Sequence, residues 1–396
     1  MLKQILFSFL LFTTPLVIFS QNNTSALADS THNTSRLSIS GNIDGSSGYL
    51  DETSFLDYNV RLSSSLNLGQ HTFSAEGGSS AWYYYDNALE TGQDNVTLRL
   101  LALNYRYQYK GNQLTLGLQD FQLGDQFILD ERIMGLNYQL GRECWHFNMI
   151  VGTVSDHFSK NGSFNTTGNI YDSILQKDRP AIPESLGEAN LWGATLEFHP
   201  QLYVPTEAGE NDILKINTLG LVAYHEFGDA IESTFTQAGV YANLSLIGGI
   251  RLNPQVTLQA ANCKNVLIYN VEVLKDVRWN SYSSTLFSLQ YHDYSNEESM
   301  PLNTFSNQWL GEVVRMDMTN MPLMSFKATH KMNKPGLTVS LAAYRQLTDT
   351  PTQEYDLIIS KTLFENFNIK GVAGWFDEPV SAKSSCFGRL ALSYRF

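Results

Sequence analysis

Apolar and polar residues alternate with a period of two over most of the chain. In residues 58–68 almost every second side chain is apolar and the residues between them are polar, Arg61 among them. This alternation is typical of a β-strand with one face in an apolar environment and the other in water. From Arg36 onward no helical stripe of comparable length interrupts the pattern. The sequence therefore predicts an all-β protein.

The alternating segments recur to the end of the chain, and short turns between them alternate with longer polar loops. This asymmetry predicts a transmembrane antiparallel up-and-down β-barrel with an even number of strands and both ends on the short-turn side. Residues 264–280 and 294–320 are the hardest to interpret. The count is 18 strands if that region supplies two beyond the obvious ones and 16 if it does not, and we predict 18.

Three local features refine this prediction. A change of phase near Leu100 predicts a β-bulge. Four consecutive aromatic residues, Trp82–Tyr85, cannot all face one way and predict an aromatic girdle where a strand leaves the membrane. Residues 155–188 are polar and contain two prolines, and they predict either a long loop that folds into the lumen or a disordered outer loop.

The last strand carries the strongest signal. Gly388, Leu390, Leu392, Tyr394 and Phe396 form its apolar face, with Arg389 on the other. An Arg that faces lipid costs roughly 2–4 kcal/mol at the bilayer midplane, so Arg389 should point into the barrel. An aromatic-rich strand that ends in Phe resembles the terminal strand of Gram-negative outer-membrane barrels. The resemblance implies recognition of this strand by the outer-membrane assembly machinery. The alternative from the residues alone is the edge strand of a soluble sandwich.

The N-terminal residues predict export. A positive start at Lys3 precedes an apolar run over residues 5–19, which is too short for a spanning helix but suits a secretory signal. Cleavage after Ser20 is favoured over cleavage after Ala28. The predicted organisation is a signal peptide at 1–20, a loose polar leader at 21–34 and a transmembrane β-barrel at 35–396.

Composition supports a barrel and narrows the partners. Only 16% of the 396 residues are charged, whereas 12% are aromatic, with 20 Tyr and 22 Phe. The net charge of −13 argues against binding to nucleic acid. The three cysteines (144, 263 and 386) are too widely spaced for a disulfide framework or a zinc motif.

No catalytic set is predicted. His157, His225 and His292 each have an acidic neighbour, but adjacent residues on a strand point to opposite faces. We interpret all three as solvated loop or rim histidines. No catalytic residue, metal ligand or cofactor is predicted, and an enzymatic function is not expected.

The candidate functional residues are cations on the inward face. By register, the predicted pore-lining residues are Arg36, Arg61, Arg99, Arg106, Lys327 and Arg389. A basic wall would favour anionic or polyhydroxylated solutes. The acidic loops are expected to lie outside the constriction. The alternative is that these cations are ordinary polar wall residues paired with carboxylates.

One internal segment carries a more specific resemblance. Leu116–Gln119, Gly124-Asp125 and Asp130–Leu136 resemble a strand–loop–strand segment of alginate-export-like porins. Leu118 stands where that family has Arg, so the resemblance does not extend to a polyanionic sugar substrate. The resemblance implies an outer-membrane porin.

The resulting hypothesis is a bacterial outer-membrane porin for passive, weakly anion- or sugar-selective diffusion of small hydrophilic solutes. Its partners would be outer-membrane lipid, the assembly machinery and those solutes. The alternatives are an outer-membrane barrel enzyme of lipase or protease type and a closed structural or adhesive barrel.

Overall fold

The chain folds into a closed antiparallel barrel of 18 strands, as predicted. The computed structural model describes residues 36–87, 90–123, 128–160, 170–171, 182–200, 214–229, 234–261, 264–295, 322–378 and 383–396. The predicted signal peptide and leader lie outside the described residues. In the described ranges, no helix has the length and apolarity that a membrane crossing requires.

The strands follow one another around the barrel in chain order. They are β1 (Arg36–Leu50), β2 (Thr53–Leu68), β3 (His71–Asp86), β4 (Thr91–Tyr109), β5 (Asn112–Leu123), β6 (Leu129–Gly141), β7 (Trp145–Val154), β8 (Ala189–Phe198), β9 (Leu214–Phe227), β10 (Phe235–Leu246), β11 (Ile250–Ala261), β12 (Lys264–Asn280), β13 (Ser283–Tyr294), β14 (Leu323–Met332), β15 (Leu337–Gln346), β16 (Gln353–Phe364), β17 (Phe367–Glu378) and β18 (Lys383–Arg395). One 3₁₀ turn, Ile247–Gly249, joins β10 to β11.

Pairing between β1 and β18 closes the barrel, with Asn42 opposite Arg395 and Leu50 opposite Phe387. We call the end where β1 begins and β18 finishes the terminus end, and the other end the loop end. The difficult region 264–280 forms one strand, β12. Residues 296–321, which hold most of the second difficult stretch, lie outside the described residues.

The alternation fixes which side chains face outward. Leu62 is 50% exposed on the outer surface, whereas Arg61 beside it projects from the inner face. The predicted bulge is confirmed: Glu76 pairs with Ala102 and Gly77 with Leu100, so Leu101 is the extra residue in β4. Trp82 and Tyr84 face inward and stack at 5.8 Å, and Tyr83 and Tyr85 alternate with them along β3.

The predicted alternation of short and long connections holds only in part. At the loop end, β1 and β2 are joined by two residues, Asp51 and Glu52. The Asp51 carboxylate accepts hydrogen bonds from the Ser385 hydroxyl and the Cys386 amide of the neighbouring hairpin. At the terminus end, residues 199–213 separate the end of β8 from the start of β9 along the chain. Connection length alone therefore does not identify the two ends.

Candidate pore constriction

The tip of the β5–β6 hairpin bends away from the barrel wall into the interior. β4 and β5 pair only between Leu103–Tyr109 and Asn112–Leu118, although both strands continue beyond these residues. β5 and β6 stay paired to their tip, where Leu123 faces Leu129. The paired strands of the hairpin therefore leave the wall together as far as the structure describes them.

Two glycines paired across the hairpin allow the bend. Gly117 has φ +111°, and a Cβ placed on it would lie 2.3 Å from the Leu103 carbonyl oxygen. A Cβ on its partner Gly135 would lie 2.1 Å from the Val151 oxygen. Only glycine is compatible with both the conformation and the close approach of the backbones.

One face of the hairpin tip packs on the inner wall formed by β7, β8 and β9. Leu123 is fully buried, and a Cβ added at Gly193 of β8 would meet its side chain at 2.6 Å. This apolar cluster is formed by Phe121, Leu123, Ile128, Leu129, Ile133, Ile150, Val154, Ala189, Leu191, Val222 and Tyr224. Burial of these side chains holds the hairpin inside the barrel.

The opposite face of the tip carries charge. Arg132 Nε lies 3.1 Å from Asp120 Oδ1, and Lys160 Nζ lies 2.6 Å from Asp130 Oδ1 and 3.8 Å from Asp120 Oδ1. Arg132 also donates a 3.3 Å hydrogen bond to the Phe158 carbonyl oxygen. The hairpin and the start of the 155–188 loop therefore form one charged unit.

Glu131 joins that loop to the hairpin. Its buried carboxylate accepts hydrogen bonds from the Ser159 hydroxyl at 2.7 Å, from the Arg132 amide at 2.7 Å and from the Lys160 amide. Buried carboxylates are stable when hydrogen bonds replace the lost hydration. Residues 155–160 are thus held against the hairpin.

Arg61 and Arg99 project toward this unit from the facing wall. They flank Gly78, which pairs with Arg61 on one side and Arg99 on the other. Arg99 lies 3.5 Å from Asp156 and donates a 2.8 Å hydrogen bond to His157. Arg61 interacts electrostatically with Arg132, Glu76, Asp44 and Asp120. We call Arg61, Arg99, Arg132 and Lys160 the cation cluster.

Two residues from the middle of the 155–188 segment, Ile170 and Tyr171, lie in the barrel interior. The segment leaves β7 and returns to β8, yet both residues are buried against the opposite wall. The Tyr171 ring centroid lies 5.6 Å from that of Phe55 and 6.4 Å from that of Phe387. The described residues of this loop therefore lie inside the barrel, and that the loop constricts the pore stays a prediction.

The predicted pore-lining residues occupy different levels of the wall. Arg36 pairs with Asn67, Arg106 with Thr72, Lys327 with Ser288, and Arg389 with Gly48. Leu37, Phe326 and Leu390 are exposed on the outer face, so Arg36, Lys327 and Arg389 beside them project inward. Arg106 also projects inward, because the exposed Leu103 and Tyr109 each lie three residues from it. Only Arg61 and Arg99 meet at the constriction. That the six residues line an open pore stays a prediction.

Two expectations from the sequence are wrong. Acidic residues were expected outside the constriction, but Asp120 and Asp156 lie beside its arginines, because the hairpin and the loop fold inward. His292 is not a rim residue: it is buried on the inner face of β13 with its ring 4.9 Å from that of Tyr294. His157 contacts Arg99, and His225 bonds the Thr236 hydroxyl at 2.9 Å.

Arg132, Lys160, Asp120 and Asp156 were not identified from the sequence as functional residues. Their positions depend on the inward bend and on the path of the loop. The cross-strand pair Gly117 and Gly135 was the available signal, since two glycines facing each other mark a site where strands bend.

Known structures share the barrel fold. No family model matches the sequence, and no curated protein matches it. A BenF-like porin from Pseudomonas fluorescens Pf-5 matches with a TM-score of 0.57 at 10% identity, over 91% of this chain and 98% of that one. OccK3 (OpdO) from Pseudomonas aeruginosa gives 0.55 at 12% identity, over 91% and 95%. The outer membrane protein opdK from Pseudomonas aeruginosa gives 0.53 at 10% identity, over 91% and 98%.

These likenesses define the class of fold as a closed 18-stranded antiparallel barrel. The chain is similar in architecture to porins of Pseudomonas. At 10–12% identity the likeness shows the fold alone. The likeness to alginate-export-like porins stays a prediction.

Proposed function

We propose that the chain is a porin of the bacterial outer membrane that gives passive diffusion to small hydrophilic solutes, with a weak preference for anions or sugars. The observation that carries the proposal is the cation cluster at the level where the hairpin and the loop narrow the barrel. The apolar outer face and the likeness in fold to outer-membrane porins support the location.

The charges of the cluster explain why the preference should be weak. Arg99, Arg132 and Lys160 are each within 4 Å of a carboxylate, so much of their field is cancelled locally. In a water-filled lumen the remaining field acts over a Debye length, roughly 8 Å at physiological salt. The cations and carboxylates of this region are hydrogen-bond donors and acceptors placed side by side, which suits the hydroxyl groups of a sugar.

Planar bilayers test this proposal. The full chain, refolded in detergent, should form channels, and the reversal potential in a KCl gradient should show a mild preference for chloride. Added neutral sugars should reduce the conductance if they enter the constriction. A preference for potassium would show that the arginines act as paired structural groups.

A closed barrel is the second candidate, because Ile170 and Tyr171 fill the inner face at the loop end. Its signature in the same bilayers would be insertion without conductance. The expectation that the chain is not an enzyme stays a prediction.

A further inference from the structure

Two histidines and a glutamate converge at the terminus end of the barrel. His146 at the start of β7 lies directly opposite Glu197 near the end of β8, and His199 follows β8. His146 Nδ1 lies 3.1 Å from His199 Nε2, which lies 3.5 Å from Glu197 Oε2. Leu196 and Phe198 are exposed on the outer face, so Glu197 between them projects inward.

These separations match those between the ligands of one metal ion. Zn²⁺ binds imidazole nitrogen and carboxylate oxygen at about 2.0–2.2 Å in tetrahedral geometry, which places neighbouring ligand atoms about 3.3 Å apart. The ligand atoms of His146, Glu197 and His199 all lie within 4.8 Å of one another. We propose that these three side chains bind a divalent transition-metal ion of the Zn²⁺ class on the inner wall.

Neighbouring groups orient two of the ligands. The Thr218 hydroxyl lies 3.1 Å from Nδ1 of His199, which turns Nε2 of that ring toward the cluster. The Tyr241 hydroxyl donates a 2.7 Å hydrogen bond to Oε1 of Glu197, which leaves Oε2 for the ion. Such outer partners are typical of metal sites, where they fix the ring orientation and the position of the carboxylate.

The backbone also supports the site. The His199 amide donates a 2.7 Å hydrogen bond to the Cys144 carbonyl oxygen, which ties the segment after β8 to the start of β7. The Tyr241 ring fits over Gly220, where an added Cβ would lie 2.1 Å from it. Asn243 pairs with Thr218 and Leu244 with Ile216, so Asn217 is an extra residue in β9 directly before Thr218. The surrounding residues therefore fix both outer partners before an ion arrives.

The donor atoms select the class of ion. Two imidazole nitrogens and one carboxylate oxygen suit Zn²⁺, Cu²⁺, Ni²⁺ and Co²⁺, whereas Mg²⁺ and Ca²⁺ prefer oxygen ligands alone. The three residues leave a coordination position that water or an anionic solute can take. A bound ion would also place positive charge where Glu197 now carries a negative one.

Equilibrium dialysis with Zn²⁺ tests the proposal. The full chain, folded in detergent, without a polyhistidine tag and freed of metal by a chelator, should bind one Zn²⁺ per chain in the presence of excess Mg²⁺. His199→Gln and His146→Gln should each weaken binding at least tenfold. Co²⁺ should give a visible absorption spectrum of a site with nitrogen ligands, and this spectrum should be lost in both variants.

Two further variants separate a metal site from a hydrogen-bonded cluster. Tyr241→Phe keeps the ring over Gly220 but removes the bond to Glu197, and it should weaken Zn²⁺ binding by about 10–100-fold. His71→Gln is the matched control, since His71 lies at the same end of the barrel and bonds the Tyr105 hydroxyl. His71→Gln should bind Zn²⁺ as the unaltered chain does. Unchanged binding in His199→Gln, a loss of binding in His71→Gln as large as that in His199→Gln, or no Zn²⁺ binding by the unaltered chain in the presence of excess Mg²⁺ would overturn the proposal.

Discussion

At the scale of single residues, Arg61 contributes charge to the wall beside the hairpin tip. It lies opposite Gly78 on the inner face of β2 and interacts electrostatically with charges of both signs, Arg132, Glu76, Asp44 and Asp120. Its charge should therefore add to the field at the level of the cation cluster.

Replacing Arg61 should lower the preference for anions. One unit charge at about 4 Å in water is worth about 1 kcal/mol, so Arg61→Ser should reduce the chloride-to-potassium permeability ratio by about twofold to fivefold. Reversal potentials in a KCl gradient measure this ratio. Arg142→Ser removes the same charge from a turn at the terminus end, where Arg142 bonds Gly141 and Asn112. Equal effects of the two substitutions would exclude a local role for Arg61.

Gly117 controls the bend of the hairpin at the same scale. Its φ of +111° alone strains any other residue by about 1–3 kcal/mol, and the Leu103 oxygen at 2.3 Å from an added Cβ increases the cost. Gly117→Ala should therefore lower the temperature at which the folded barrel unfolds on a heat-modifiable gel.

Gly187 provides a control that separates backbone strain from the steric collision. It has φ +88°, but no atom lies within 4 Å of an added Cβ. Gly187→Ala should show the strain without the collision. If the two alanine variants unfold at the same temperature, the close approach of β4 and β5 does not limit the bend.

At the scale of elements, the 155–188 loop should limit conductance through its buried aromatic residue. Tyr171→Ala removes the contacts with Phe55 and Phe387, and truncation of a buried aromatic side chain costs on the order of 3 kcal/mol. The loop should then leave the wall more often, and single-channel recordings should show larger and noisier currents.

A second substitution in the same loop provides the control. Leu186 is 58% exposed, so Leu186→Ala should leave the current unchanged. Unaltered currents in Tyr171→Ala would mean that the loop end does not limit conductance.

The sequence predicted the strands of this barrel because each has one apolar and one polar face. The sequence could not predict the bend of the hairpin. A period of two shows that one face of a strand is covered by apolar groups, but it does not show whether these groups belong to lipid or to another part of the protein. The apolar residues of the tip, such as Phe121 and Leu123, alternate as lipid-facing residues do, yet they pack on β8 and β9. Phe387 lies on the inner face with Arg389, and the inserted loop covers it, with its ring centroid 6.4 Å from that of Tyr171.

The His146, Glu197 and His199 group was beyond sequence reasoning for another reason. His146 comes from β7, and the other two residues come from the end of β8 and the segment beyond it. Only the register of the β7–β8 pair brings His146 opposite Glu197. A shift of one residue would place the two side chains on opposite faces of the wall.

At the scale of the whole molecule, Phe396 completes the closure of the barrel. Its amide and carbonyl exchange two 3.0 Å hydrogen bonds with Gly41, and its ring lies over the same glycine, where an added Cβ would come within 3 Å of it. Phe396, which resembles part of an assembly signal, therefore also extends the hydrogen bonding between β18 and β1.

Deletion of Phe396 should reduce the amount of assembled barrel severalfold, while the unassembled chain accumulates. Outer-membrane fractions analysed by heat-modifiable mobility measure the assembled form. Phe396→Tyr keeps an aromatic ring and both backbone bonds, and it should assemble normally. Normal assembly of the shortened chain would contradict a role for Phe396 both as a signal and as a closing residue.

The inward bend also has a consequence for the outside of the barrel. Since β5 leaves β4 at Leu118, the edge of residues 91–102 that would face β5 has no partner strand in the part of the chain that the structure describes. An open sheet edge is not stable in hydrocarbon, so water or another polypeptide must reach this edge. In an antiparallel strand, successive amides point to opposite sides. Amide hydrogen exchange along residues 91–102 should therefore alternate between slow amides, which are bonded to β3, and fast amides, which point away from it. This pattern would show that water reaches one edge of β4 in an otherwise continuous wall.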